Sequence, residues 1–243
     1  MNNVILTTSL NREISKDTYE IILAGDCADN KPGQFVEIKL NGFTLRRPFC
    51  IAHSTDSTMT LVYKVVGAGT KYMSTLTYSD KLDVLTGLGN GFNTMACETS
   101  RPLLIGGGTG IASIYNLAIE LKERNPIILL GFRSKEDAYY IAEFSRLGEI
   151  HIATETGELG FKGNIIEYLK TSKIDYQYYY ACGPMGMLRE LFKFSKNGEM
   201  SLEARMGCGF GACMGCSIKT TSGYKRVCKE GPVFLAREIV FDV

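Results

Sequence analysis

The stretch PLLIGGGTGIASIYNLAIEL, Pro102–Leu121, decides the fold. Pro102–Ile105 reads as a buried strand, and Gly106–Gly110 as a glycine run closing it. Ile111, Ile114, Tyr115, Ala118 and Leu121 then recur at helical spacing. Asn125-Pro126 stops the helix, because the residue before proline is pushed out of the helical region. A strand, a glycine turn and a helix in this order form half of a strand–helix–strand unit.

The same unit repeats downstream. Ile127–Leu130 is a second buried strand, followed by a helix expected over 135–147. Glu149–Thr154 is a third strand, followed by a short helix over 163–170. Tyr176–Ala181 is a fourth strand, closing in Cys182-Gly183-Pro184-Met185-Gly186, and Met187–Phe194 reads as another helix. Repeated units of this length specify an open parallel sheet. Ligands of such sheets bind at the carboxyl ends of the strands, where both glycine clusters lie. Gly106–Gly110 approaches a dinucleotide loop without meeting the usual fingerprint. Ser113 stands where a third small residue would be, and no acidic residue follows at the end of the second strand. A tight strand–helix turn remains the alternative. Arg133, just after the second strand, either meets a 2′-phosphate or lies in solvent.

Upstream the pattern changes to short strands joined by turns. Thr18–Ala24, Gln34–Leu40, Met59–Val66 and Leu82–Leu85 are strands, with Pro32-Gly33, Asn41-Gly42 and Leu88–Gly91 between them. In the second, Phe35, Glu37 and Lys39 oppose Val36, Ile38 and Leu40. This spacing predicts a small antiparallel barrel or sandwich. Two segments carry chemistry. Arg46-Arg47-Pro48-Phe49-Cys50 sets a guanidinium at a bend, suited to phosphate or simply exposed. Gly67-Ala68-Gly69-Thr70 opens a helix expected over 71–77, either as an anion site or with Thr70 as an ordinary N-cap. Together they suggest a diphosphate-containing cofactor.

Downstream, eight cysteines and two histidines set the terms, and four of the eight cysteines fall between Cys208 and Cys228. Cys208, Cys213, Cys216 and Cys228 have the spacing C-x4-C-x2-C…C, the plant-type ferredoxin arrangement for a [2Fe–2S] cluster. Gly207, Gly209, Gly211 and Gly215 let the backbone curl and bring N–H groups to the sulfurs. A four-cysteine zinc site is the competing reading. Zinc sites separate their ligands into two knuckles, whereas here three ligands fall within nine residues. Cys27 and Cys97 read as ordinary thiols.

Composition bounds the rest. The chain has 243 residues, 45% hydrophobic and 22% charged, with 27 Lys and Arg against 26 Asp and Glu. That composition excludes general disorder, and a net charge of +1 gives no field to drive nucleic-acid binding. No apolar run is long enough to span a bilayer, and the opening MNNVILTTSLNREIS lacks a basic start with an apolar core. The expectation is a cytoplasmic protein that binds neither membrane nor nucleic acid.

With these parts in order, the chain resembles the ferredoxin–NADP reductase superfamily. Within it, the chain is most similar to the electron-transfer subunits of dihydroorotate dehydrogenase B. The resemblance rests on Arg47–Cys50, Gly67–Thr70, Gly106–Gly110, Cys208–Cys216 and Val227–Phe234. The corresponding family motifs are Arg-Pro-x-Ser, a Gly-Ala-Gly-Thr loop, Gly-Gly-Gly-x-Gly, and a Cys-Gly-x-Gly-Ala-Cys segment closing with Val-Cys-x-x-Gly-Pro-Val-Phe. The fold implied is β + α/β in three parts. These are an antiparallel flavin-binding barrel over 1–97, an open parallel α/β nucleotide-binding domain over 98–200, and a small iron–sulfur module over 201–243.

The resemblance also implies the sites. Arg47, Pro48, Phe49 and Cys50 would face the flavin of FAD and its diphosphate. Val62, Tyr63 and Lys64 would line it, with Gly69 and Thr70 on the pyrophosphate. Gly106, Gly107, Gly108, Thr109 and Gly110 would frame NAD together with Cys182, Gly183 and Pro184. The four clustered cysteines would hold the iron. Cys50 departs from the family serine, and a thiol is the weaker hydrogen-bond donor. The implied reaction passes electrons from the FMN of a catalytic subunit, through cluster and FAD, to NAD in pyrimidine biosynthesis. It needs no catalytic side chain. The implied assembly is a heterotetramer with two copies of each subunit. Another NAD(P)H-linked iron–sulfur flavoprotein subunit, of sulfide dehydrogenase or NADH-dependent ferredoxin–NADP reductase type, is the alternative. A zinc-holding binding module is the alternative from another class.

Overall fold

The computed structural model describes residues 1–27, 30–97 and 101–241. The boundary expected at 97/98 abuts residues 98–100, which lie outside the described residues, as do 28–29 and 242–243. Among the described residues the strands form three sheets.

The first sheet is a closed antiparallel barrel of β1 (Asn2–Ser15), β2 (Thr18–Ala24), β3 (Phe35–Lys39), β4 (Arg47–Ser54), β5 (Thr58–Lys64) and β6 (Lys81–Leu88). Its order is β1-β2-β5-β4-β3-β6, with β6 pairing back onto β1 from Asn2↔Thr86 to Thr7↔Lys81. Closure leaves no edge strand exposed. Inward side chains such as Leu6, Ile21, Leu23, Val36, Ile38, Leu61 and Val84 fill the interior. A short helix, α1 (Ala68–Met73), follows β5.

The second sheet has seven strands in the order β10-β9-β8-β7-β11-β12-β15. They are β7 (Leu103–Gly107), β8 (Ile127–Phe132), β9 (Glu149–Thr154), β10 (Phe161–Lys162), β11 (Tyr179–Cys182), β12 (Gly198–Ser201) and β15 (Val233–Leu235). All neighbours are parallel except β12 and β15, which pair antiparallel through Glu199↔Leu235, Met200↔Phe234 and Ser201↔Val233. Helices cover both faces. Leu103 and Ile105 point to α4 (Ile165–Thr171) and α5 (Met185–Phe194), while Leu104 points to α2 (Ile111–Glu120). That double burial is why these strands read as unbroken apolar runs. Ala52 and Val62 of the barrel belong to the same packed cluster as α2, so barrel and sheet share a core.

The third sheet is a hairpin of β13 (Ser217–Thr220) and β14 (Gly223–Arg226) within the cysteine-rich segment. No helix among the described residues is long and apolar enough to cross a membrane.

Three expectations are corrected. The helix expected over 135–147 is a short 3-10 turn at Lys135–Asp137, an extended link, and one turn, α3 (Ile141–Phe144). Tertiary bonds pull this segment open: Lys64 holds Asp137 at 2.8 Å, the Tyr139 hydroxyl donates to the Gly108 carbonyl, and the Tyr140 hydroxyl donates to Glu20. The helix expected to begin after Thr70 begins earlier, with Gly67 as its N-cap. Thr70 is the third helical residue, and its hydroxyl accepts from the Val66 and Gly67 N–H groups at 2.9 and 3.2 Å. The four-strand sheet gains β10, β12 and β15, the last from beyond residue 201.

Candidate functional site

Two cavities open where barrel and sheet meet. The barrel-side cavity, about 380 Å³, takes Arg47, Pro48, Phe49 and Cys50 from β4, Val62, Tyr63 and Lys64 from β5, and Thr70 from α1. Phe49 packs edge-on against Tyr63, whose hydroxyl donates to Asn11 at 2.9 Å, so the aromatic wall is fixed. Arg47 lies across the start of α1. A methyl group on Gly69 would sit 3.0 Å from the Arg47 Nε, so the guanidinium lies close against bare backbone there. The expected flavin residues thus converge on one wall, with Gly69 behind Arg47. The backbone N–H groups of Val66 and Gly67, which the sequence left open for an anion, are bonded to Thr70 instead.

The sheet-side cavity, about 440 Å³, lies beyond the carboxyl ends of β7, β8, β9 and β11. Gly107, Gly108, Thr109 and Pro184 line it, together with Arg133. The other expected loop residues have different tasks. A Cβ on Gly110 would meet the Cys182 carbonyl carbon and oxygen at 2.5 Å, and one on Gly183 would meet the Gly107 N and O at 3.1 Å. Gly106, packed on Ile111, is likewise a close-contact residue. These glycines bring two loops together, and Gly107–Thr109 face the space that results. Cys182 turns away from this cavity and lines the barrel-side one. There its thiol interacts directly with that of Cys50, with Ser113 beside both. That interaction draws Cys50 below the ordinary thiol value and, with burial, pushes Cys182 well above it.

Several lining residues gave no sequence signal. Asn164 caps α4, accepting from the Ile166 and Glu167 N–H groups at 2.9 and 3.0 Å, and also borders the sheet-side cavity. Glu155 and Glu190 add negative charge there. Leu202, Glu203, Ala204 and Met206 line the barrel-side cavity. They follow β12, and the carboxyl end of a parallel strand would have marked them had Gly198–Ser201 read as a strand.

Beyond this wall the chain enters the cysteine loop. The four thiols come as two pairs, Cys208 with Cys213 and Cys216 with Cys228. The Cys208 sulfur accepts backbone N–H bonds from Ala212 at 3.2 Å and Cys213 at 3.4 Å. Burial alone would raise its pKa, but these bonds, with others from Phe210 and the Cys213 thiol, draw it down to about 6. The Cys216 sulfur accepts from the Cys228 N–H at 3.4 Å, while burial and the neighbouring Cys216 push Cys228 up to about 12. Two sulfur pairs with N–H donors aimed at them suit two irons with two terminal thiolates each. Methyl groups on Gly207 and Gly215 would lie 3.3 and 3.5 Å from the Cys213 sulfur, so bare backbone cradles it. Arg226 braces the loop, donating to the Gly211 carbonyl at 2.5 Å and pairing with Glu230, which it holds down to about 2. Beneath the loop Glu37 is 1% exposed, both carboxyl oxygens without a hydrogen-bond partner, packed under Gly209. Burial and the Cys208 charge raise it to about 7, against the pull of Arg46.

A closed antiparallel barrel joined to a parallel nucleotide-type sheet defines the class: electron-transfer oxidoreductases of the ferredoxin-reductase fold. A solved NADH-dependent reduced ferredoxin–NADP oxidoreductase, studied for flavin-based electron bifurcation, superposes with a TM-score of 0.88. It shares 27% identity and covers 98% of this chain and 91% of its own. Residues 203–240 match the iron–sulfur cluster binding domain of dihydroorotate dehydrogenase B. The dihydroorotate dehydrogenase B (NAD(+)) electron transfer subunit of Geobacillus sp. (strain WCH70) is 39% identical over 97% of each chain. That of Fusobacterium nucleatum subsp. nucleatum is 36% identical over 97% of this chain and 98% of its own. The chain belongs to this family, the electron transfer subunits of NAD-linked dihydroorotate dehydrogenase B.

Proposed function

We propose that the chain holds FAD in the barrel-side cavity, NAD in the sheet-side cavity and a [2Fe–2S] cluster on Cys208, Cys213, Cys216 and Cys228. On this reading it carries electrons from the FMN of a dihydroorotate-oxidising partner to NAD, in the cytoplasm, as a heterotetramer with two copies of each subunit. The observation that carries the reading is the sequence of the three sites. Lys64 and Thr109 border both cavities, and the Leu202–Met206 wall of the flavin cavity runs directly into Cys208. The flavin, when bound, exchanges an electron pair with nicotinamide and single electrons with the cluster, so it belongs in the middle.

The side chains bind and orient. Arg47 supplies a planar cationic fork for the diphosphate, while Pro48, Phe49, Val62 and Tyr63 give the ring an apolar wall. Cys50 stands at the same wall as a weak donor. Gly107, Gly108 and Thr109 present bare backbone at the entry to α2, where the positive end of the helix favours a nucleotide phosphate. The N–H groups of Ala212, Cys213 and Cys228 hold charge on the cluster thiolates. The division of the chain follows: 1–97 for flavin, 98–200 for nucleotide, 201–243 for the cluster.

Co-expression with an FMN-containing dihydroorotate-oxidising subunit tests this. The expected result is a yellow-brown complex that reduces NAD when given dihydroorotate. A colourless chain with stoichiometric zinc, or a flavin-bearing chain inert with every such partner, overturns it.

A further inference from the structure

Cys50 and Cys182 reach one point from separate layers of the molecule. Cys50 is the fourth residue of β4 in the barrel, and Cys182 is the last of β11 in the sheet. Both line the barrel-side cavity, where the two thiols interact directly. Ser113 of α2, whose buried hydroxyl has no regular hydrogen-bond partner, stands against the pair. Cys182 is only 1% exposed, held by the close packing of Gly110 against its carbonyl. Neither thiol belongs to the cysteine loop.

We propose that Cys50 and Cys182 form a redox-active dithiol that exchanges an electron pair with the flavin bound in the cavity they share. In the oxidising direction the two S–H bonds break and one S–S bond forms. The electron pair and two protons pass to the oxidised isoalloxazine. In the reducing direction the S–S bond breaks and the reduced flavin returns two electrons and two protons. With NADH as the source, the net change is disulfide plus NADH plus one proton to two thiols plus NAD. The shared position in the cavity brings the two sulfurs to one flavin face, and the Cys182 neighbour lowers Cys50 below the ordinary thiol value, favouring the thiolate that begins exchange. The inference rests on the flavin assignment above.

The test uses the full chain, flavin-loaded and flavin-stripped, oxidised anaerobically with diamide. Each sample is split, one half receives NADH, and both are quenched in acid, alkylated and digested for mass spectrometry. The expected result is a peptide linking Cys50 to Cys182 in both forms after diamide, lost on NADH only where flavin is bound. In Cys50→Ser the linked peptide is absent and Cys182 is recovered alkylated. No 50–182 linkage in the parent chain overturns the proposal. So does a linkage that NADH leaves intact beside bound flavin, or one that it clears equally without flavin. A chain that takes up no flavin overturns both readings, and its spectrum distinguishes that case from a flavin-bearing chain whose linkage fails.

Discussion

Gly110 shows what a single hydrogen in place of a methyl group allows. Its neighbour is the Cys182 backbone, 2.5 Å from where a Cβ would stand, and backbone cannot rotate aside. Gly110→Ala should therefore destabilise the fold by about 1–3 kcal/mol, read as a lower urea midpoint with an unchanged slope. On the proposed assignment, Cys216→Ser should weaken and shift the iron–sulfur absorption, because a serine oxygen is a harder and poorer ligand than a thiolate. The cysteine spacing is legible because, on the proposed assignment, ligation would fix residue type and interval together. Glu37 is not. Alternation placed Phe35, Glu37 and Lys39 on one face of β3 and apolar residues on the other, which reads as a strand with one wet side. Phe35 and Glu37 are nevertheless 3% and 1% exposed, because the cysteine loop covers that side of the barrel. Local pattern cannot report a cover that arrives from residue 209.

Among the elements, the segment Ser134–Tyr140 joins the two halves. Lys16 pairs with Glu136, Lys64 with Asp137, and the Tyr140 hydroxyl with Glu20, all across the barrel–sheet junction. Burial would raise the Asp137 carboxyl, but hydrogen bonds from Lys64 and Ser134 outweigh it and hold it below its ordinary value. A depressed carboxylate stabilises the fold above its unfolded pKa of about 3.9 and loses that contribution as pH falls through the folded value. Lys64→Ala should lower stability by about 0.5–1 kcal/mol at neutral pH. The gap in Tm from the parent chain should close on acidification below about pH 4. These contacts also explain the overturned helix, since its spacing was compatible with a helix and long-range bonds prevailed. By contrast β2 and β9 match their expected limits, because one apolar period covers each. β4 escaped notice because Arg46, Arg47 and Pro48 read as a bend. Pro48 in fact pairs with Glu37 inside the ladder. β12 and β15 are four and three residues long, too short to show a period.

For the whole molecule, the line from sheet-side cavity to cysteine loop ends at the surface. Phe210 is 43% exposed and Met214 54%, on either side of the exposed Cys213. A cluster that receives electrons from another protein needs such an edge, and apolar side chains there suit a partner's surface. Phe210→Asp and Met214→Asp should each weaken co-purification with the catalytic subunit. Flavin content should be unchanged, since neither residue lines the barrel-side cavity. Equal recovery of the complex in both variants would exclude this face.

The pairing of β12 with β15 has a consequence for how the metal is acquired. Residues 202–232 form one excursion whose two ends are already stitched together by the sheet, at Ser201↔Val233 and its neighbours. The entropy of closing that excursion is therefore met by main-chain pairing rather than by iron. Loading has only to order the thiols locally. Chelation should bleach the visible bands while leaving far-ultraviolet dichroism nearly intact, and iron with sulfide should restore the colour without a refolding step.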